Sequence, residues 1–187
     1  FTLWIRLMSL KKSKFIQKDK LFMNLALNLA RDRLGFTGDN PSVGCVIVKN
    51  NEIISIGQTG INGRPHAEYN AVKSCKKSLV GSKMYVTLEP CTHFGITPPC
   101  STLIINSKIK EVIFPIVDID TRTKSKSFKI LKAKKINVKF GLLKNDAKKI
   151  YKPYMYNKKE KLPYVTGKIA ISKDNYIYSK KRKKITN

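Results

Sequence analysis

The chain has 187 residues, 42% of them hydrophobic, and a formal net charge of +26 from 38 lysines and arginines against 12 acids. That length holds one ordinary domain with a real core and a short appendage, and excludes two full domains. Four cysteines among lysine-rich, unpatterned flanks exclude a disulfide scaffold and point to a reducing, cytoplasmic compartment.

Such a charge draws polyanions, but its make-up weakens a nucleic-acid reading. Arginine stands only at Arg6, Arg31, Arg33, Arg64, Arg122 and Arg182, and the lysines are spread along the chain with abundant isoleucine and asparagine. We read the excess as solvated surface shaped by biased coding composition, which disfavours nucleic acid as partner and still favours an anionic small substrate.

In chain order, residues 1–8 are apolar but precede Lys11, Lys12 and Lys14. That is the reverse of a signal peptide, and the run is too short to span a bilayer. Residues 1–18 are expected to be a basic N-terminal extension with Met8 as a candidate start, no membrane association, and organelle transit as the weaker alternative. Asp19 is read as the cap of a helix over 20–34, with Phe22, Ala26, Leu29, Ala30 and Leu34 on one face and Gly35 ending it. Strands are expected over 43–48 and 53–56, joined through Asn50-Asn51. A helix over 66–77 follows Pro65, then a strand over 84–88, a short helix from Cys100, a strand over 112–117, a helix over 128–135 and a strand over 136–140. Strands alternating with helices predict an α/β layer sandwich. Cys45 is read as a small buried residue and Cys75 as a helix residue.

Two strings carry chemistry: Gly63-Arg64-Pro65-His66-Ala67-Glu68 and Glu89-Pro90-Cys91-Thr92-His93-Phe94-Gly95-Ile96-Thr97-Pro98-Pro99-Cys100. One imidazole and two thiolates fill three corners of a tetrahedral zinc site and leave the fourth for water, the ligand count of a catalytic zinc. Helix starts at these positions favour thiolate over thiol. Glu68, two residues from His66, is too close in sequence to be an extra ligand and is placed to shuttle protons, which contributes about 10²- to 10⁴-fold in rate. Zinc brings the pKa of bound water to about 7. The combination predicts hydrolytic deamination. Zinc deaminases of bases carry H-x-E followed by P-C-x-x-C; here the first half is present, but eight residues, 92–99, separate Cys91 from Cys100.

The insert His-x-Gly-x-Thr-Pro-Pro-Cys, with Asn40-Pro41-Ser42-Val43-Gly44-Cys45-Val46-Ile47-Val48 and Tyr85-Val86-Thr87-Leu88-Glu89-Pro90-Cys91, resembles one branch of the cytidine deaminase-like superfamily. That branch is the deaminase domain of bifunctional riboflavin biosynthesis proteins, diaminohydroxyphosphoribosylaminopyrimidine deaminase, over about residues 21 to 150. The resemblance implies a three-layer α/β/α sandwich with a central mixed sheet. It implies Zn2+ held by His66, Cys91 and Cys100, with Glu68 as proton shuttle. The implied substrate is 2,5-diamino-6-ribosylamino-4(3H)-pyrimidinone 5′-phosphate, whose C2 amine leaves as ammonia. Asn40, His93 and Asp118 map onto substrate-side positions. For Asn40 a turn residue before Pro41 is the other reading; for His93, a surface-loop histidine or a third metal group.

The chain departs from the family pattern at Thr59, where histidine is common, and at Ile96, where the loop usually has Arg or Lys. The Asp-Pro-Asn-Pro segment reads Asp118-Ile119-Asp120-Thr121, and Ser125 and Ser127 stand at two glycine positions. Lys124, Lys126 or Arg64 could replace the cation lost near the ribose phosphate. Another pyrimidine nucleotide or tRNA stays open as an alternative substrate, and a zinc-stabilised, non-enzymatic nucleic-acid module is the other class of reading. The expected organisation is a deaminase domain over 19–150 and, over 151–187, a linker and the truncated start of a reductase-like domain. The latter is expected because residues 162–174 are similar to the family's first reductase strand. Reductase activity is expected to be absent from this chain and supplied by a reductase domain or a separate reductase chain; a homo-oligomer is compatible with the sequence.

Overall fold

The computed structural model describes residues 15–177. The rest of the basic extension, with Met8, and the last ten residues lie outside the described residues. Five strands, β1 (Gly44–Lys49), β2 (Glu52–Gln58), β3 (Lys83–Val86), β4 (Glu111–Phe114) and β5 (Asn137–Phe140), form one sheet in the order β2-β1-β3-β4-β5. β1 runs antiparallel to β2 and β3, whereas β3, β4 and β5 are parallel, so the sheet is mixed as expected. β1 and β4 are almost wholly buried, which their unbroken apolar runs require of strands covered on both faces. Asn50 and Asn51 both take positive φ, 52° and 63°, the backbone a two-residue hairpin needs.

The helices are α1 (Gln17–Asp32), α2 (Ala67–Ser74), α3 (Cys100–Asn106), α4 (Lys126–Ala133) and α5 (Lys144–Glu160), with a 3-10 turn at Ile61–Gly63. α1 packs on β1 and β3 with α5 beside it, while α2 packs on β2 and β1, with α3 and α4 following along that layer. The result is the three-layer α/β/α sandwich. Gly57 of β2 sets the depth of α2: a Cβ there would stand 2.3 Å from the Ala67 carbonyl oxygen and 2.4 Å from the Ala71 nitrogen. The helix that carries Glu68 therefore rests directly on strand backbone.

Several boundaries move for physical reasons. Asp19 is not the cap of α1 but its third residue, within a helix that starts earlier and ends at Asp32. Its buried carboxylate accepts the Ile16 N–H at 2.9 Å and the Tyr85 hydroxyl at 2.7 Å, tying α1 to β3. α2 stops at Ser74, short of 77; there the Ser74 hydroxyl donates to the Asn70 carbonyl at 2.8 Å. The larger difference is α5. Ala147, Ile150 and Tyr151 recur at helical spacing inside a lysine-rich stretch, and all three are buried. The Tyr151 hydroxyl donates to the Ser42 carbonyl at 2.9 Å and pairs with Thr87. The division expected at residue 150 falls inside this helix. Beyond Lys161, residues 162–177 form no strand, and Val165 and Ile169 are exposed; alternation along one segment supplies no partner for its backbone groups. Among the described residues no helix is long and apolar enough to cross a membrane.

Candidate metal centre and its cleft

Three loops converge at one end of the sheet. His66 is the N-cap of α2, Cys91 lies beyond β3, and Cys100 opens α3. His66 Nδ1 stands 3.6 Å from Cys91 Sγ and 3.5 Å from Cys100 Sγ. A tetrahedral zinc with Zn–S of about 2.3 Å and Zn–N of about 2.0–2.1 Å places nitrogen and sulfur about 3.5 Å apart. The donor set fits that ion in spacing and in chemistry, and all three donor atoms lie within 4.8 Å of one another. The Cys100 N–H, at the start of α3, donates to Cys91 Sγ at 3.3 Å, so backbone dipole and thiolate are already aligned.

The charges of the group are interdependent. A hydrogen bond from Cys100, with help from His66, brings Cys91 down to about 4, the range of a thiolate at neutral pH. That same bond, and burial, push Cys100 up, while the bond to Cys91 raises His66. Burial first, and the Cys91 charge second, push Glu68 up to about 7. The protons on Cys100 and His66 are the ones a divalent cation displaces on binding. Glu68, second residue of α2 and 4% exposed, faces the cleft beside His66 and Cys91 without joining the donor group.

The cleft also contains Asn40, His93 and Asp118, so the structure brings these three expected substrate-side residues to the front of the metal centre; Cys100 is buried behind it. Both histidines of the chain are thus at this end of the sheet. His93 Nδ1 lies 3.2 Å from the Thr123 hydroxyl, and Asn40 Nδ2 donates to the Gly63 carbonyl at 3.4 Å. Asp118 accepts the Tyr154 hydroxyl at 3.0 Å and the Asp120 N–H at 3.1 Å, while burial raises its pKa.

Sequence reasoning missed several lining residues. Glu89 is 3% exposed. Its carboxylate accepts the N–H of Asp118 at 3.2 Å, of Ser125 at 2.9 Å and of Ser127 at 3.2 Å, and the Ser127 hydroxyl at 2.9 Å. It fastens the loop that bears Asp118; the adjacent zinc motif masked this role. Tyr154 and Lys158 arrive from α5, whose periodicity was the only signal for them. Thr59 spends its hydroxyl on the chain itself, accepting the Val43 N–H at 2.9 Å and donating to the Pro41 carbonyl at 3.2 Å. Of the cations named for the altered rim, Arg64 lines the cleft, whereas Lys124 and Lys126 are exposed outside it.

Residues 16–116 match the cytidine and deoxycytidylate deaminase zinc-binding region. The chain is 39% identical over 156 residues to the riboflavin biosynthesis protein RibD of Aquifex aeolicus, covering 83% of this chain and 44% of that protein. It thus spans less than half the length of such relatives. It is also 40% identical over 146 residues to the diaminohydroxyphosphoribosylamino-pyrimidine deaminase of Buchnera aphidicola, covering 78% of this chain and 99% of that one. Among solved structures, the diaminohydroxyphosphoribosylaminopyrimidine deaminase/5-amino-6-(5-phosphoribosylamino)uracil reductase of Thermotoga maritima superposes with a TM-score of 0.84 at 34% identity. That match covers 91% of this chain and 50% of that one.

Proposed function

The chain belongs to the zinc-binding cytidine and deoxycytidylate deaminase family, in its diaminohydroxyphosphoribosylaminopyrimidine deaminase branch, and from that premise we propose that it deaminates a phosphoribosylaminopyrimidine in riboflavin biosynthesis. The substrate is 2,5-diamino-6-ribosylamino-4(3H)-pyrimidinone 5′-phosphate, and the products are 5-amino-6-ribosylaminouracil 5′-phosphate and ammonia. The observation that carries the reading is a His-Cys-Cys donor set at zinc spacing with a buried, non-ligating carboxylate beside it. The names of the relatives that align along most of this chain support the substrate.

His66, Cys91 and Cys100 would hold zinc, which when bound polarises water and makes it a nucleophile at neutral pH. Glu68 moves the protons. Water loses one proton to a carboxylate oxygen, which returns it to a ring nitrogen; a second follows the same route to the departing amine, so that water and the aminopyrimidine become carbonyl and ammonia. Its burial lets that carboxyl hold a proton near neutral pH, as a shuttle needs. Asn40, His93 and Asp118, which line the same cleft, orient the ring and ribose. The product is passed to a reductase, as a continuation of the polypeptide or as a separate chain, and the thiolate ligands suit a reducing cytoplasm.

The test is ammonia release from the phosphorylated ribosylaminopyrimidine, measured beside cytidine, deoxycytidylate and tRNA. We expect release from the first alone. Turnover of deoxycytidylate or tRNA in its place would replace the substrate assignment while keeping the chemistry.

A further inference from the structure

The cleft wall carries three cations, Arg64, Arg122 and Lys158. Arg122 is already neutralised, because its guanidinium grips both Asp120 carboxylate oxygens through Nε and Nη2. Arg64 differs. Among the described ion pairs none involves it, and its Nη1 donates to the Thr97 hydroxyl at 2.9 Å. Its Nη2 packs over Gly95 so closely that a Cβ on that residue would meet it at 3.0 Å. The guanidinium is thereby laid on the 92–99 loop in the cleft wall, two residues before His66. The loop offers no cation of its own: Ile96 is 86% exposed and lies outside the lining.

We propose that Arg64, seated on Gly95 and Thr97, is the residue that binds the substrate's phosphomonoester and so sets the preference for a phosphorylated over an unphosphorylated riboside. This rests on the deaminase reading for the identity of the substrate, but not for the anion subsite itself. A guanidinium held by one neutral side-chain bond keeps its remaining N–H groups for a second acceptor, and its planar fork matches two phosphate oxygens. A hydroxyl tether fixes its direction without cancelling its charge, which the Asp120 pair does to Arg122. Lys158, on the α5 wall, is the competing cation; its ammonium lies 5.9 Å from the centre of the Tyr154 ring.

Two measurements on the full chain test this. The first is binding of ribose 5-phosphate, followed by titration calorimetry or by NMR shifts, which needs no turnover. Arg64→Gln should weaken it by at least about tenfold, the loss expected when one charge-assisted contact disappears. Arg64→Lys should recover part of the affinity, and Thr97→Val should lose less than Arg64→Gln. The second is the ratio of kcat/KM for the phosphorylated aminopyrimidine riboside to that for its dephosphorylated form. Arg64→Gln should collapse this ratio mainly through KM, the signature of lost ground-state binding. Undiminished ribose 5-phosphate binding by Arg64→Gln, or loss in Lys158→Gln with Arg64→Gln unaffected, would overturn the assignment. Arg64-dependent binding of ribose 5-phosphate without any ammonia release would uphold the subsite and reject the deaminase reading instead.

Discussion

Replacing Glu89 by glutamine isolates one buried interaction while conserving volume. The wild-type carboxylate takes two N–H groups on Oε2, from Asp118 and Ser125, and the N–H and hydroxyl of Ser127 on Oε1. A glutamine whose carbonyl oxygen replaces Oε2 keeps the first pair. Its amide nitrogen then confronts the Ser127 N–H donor to donor. The Ser127 hydroxyl can turn and accept, but the N–H cannot, so one buried backbone donor loses its partner. Such a group costs about 1–3 kcal/mol, and the opposed dipoles place this case in the upper half of that range. For a chain of this size each kcal/mol lowers Tm by about 2–4 °C, so Glu89→Gln should melt roughly 4–12 °C below wild type. Circular dichroism on zinc-loaded protein measures this, with bound zinc quantified in parallel to separate loop loosening from metal loss. Zinc should stay bound, and KM should rise as Asp118 loses its anchor. A Tm within about 1 °C of wild type would refute the claim that the four contacts share one indispensable acceptor.

Three other outcomes are expected. The purified chain should carry about one zinc, which Cys91→Ser, Cys100→Ser and His66→Ala each abolish by elemental analysis; full occupancy in either cysteine variant would remove that residue from the donor set. Glu68→Gln should retain zinc while turnover falls by at least about 10²-fold, and a rate within a small factor of wild type would assign proton transfer to another group. Tyr154→Phe deletes a hydrogen bond that favours the Asp118 carboxylate, whose pKa burial already raises. Asp118 then stays protonated to higher pH, and the acid limb of the kcat/KM profile should move upward; an unmoved limb would show that its ionisation does not matter to the reaction.

The metal centre was legible in the sequence because its chemistry is local: His66 and Glu68 are two residues apart, and Cys91 and Cys100 flank a single loop. The layers were legible because apolar runs and amphipathic stretches alternate. What escaped depends on approach across the fold. Glu89 reads as a motif neighbour until the 118–127 loop folds over it. Asp19 looks like a cap by composition, yet Tyr85, reaching across from β3, draws it into the first turn. The helix over residues 144–160 was hidden by its lysines and Pro153, since solvent-facing positions dominate the composition while Ala147, Ile150 and Tyr151 alone carry the packing signal. Thr59 and Ile96 could be recognised as departures from a pattern, but only the cleft shows that the first is absorbed by backbone and the second points away.

The family match ends at residue 116, whereas Asp118, Tyr154 and Lys158 of the cleft come after it. The candidate metal centre and part of the cleft that faces it therefore come from successive stretches of the polypeptide that meet only in space. On the proposed assignment, a substitution in the later stretch is expected to alter which pyrimidine is admitted while the metal centre stays as it is. On that assignment, a chimera that grafts residues 118–160 from a relative onto this metal centre is the natural unit for redesigning substrate scope.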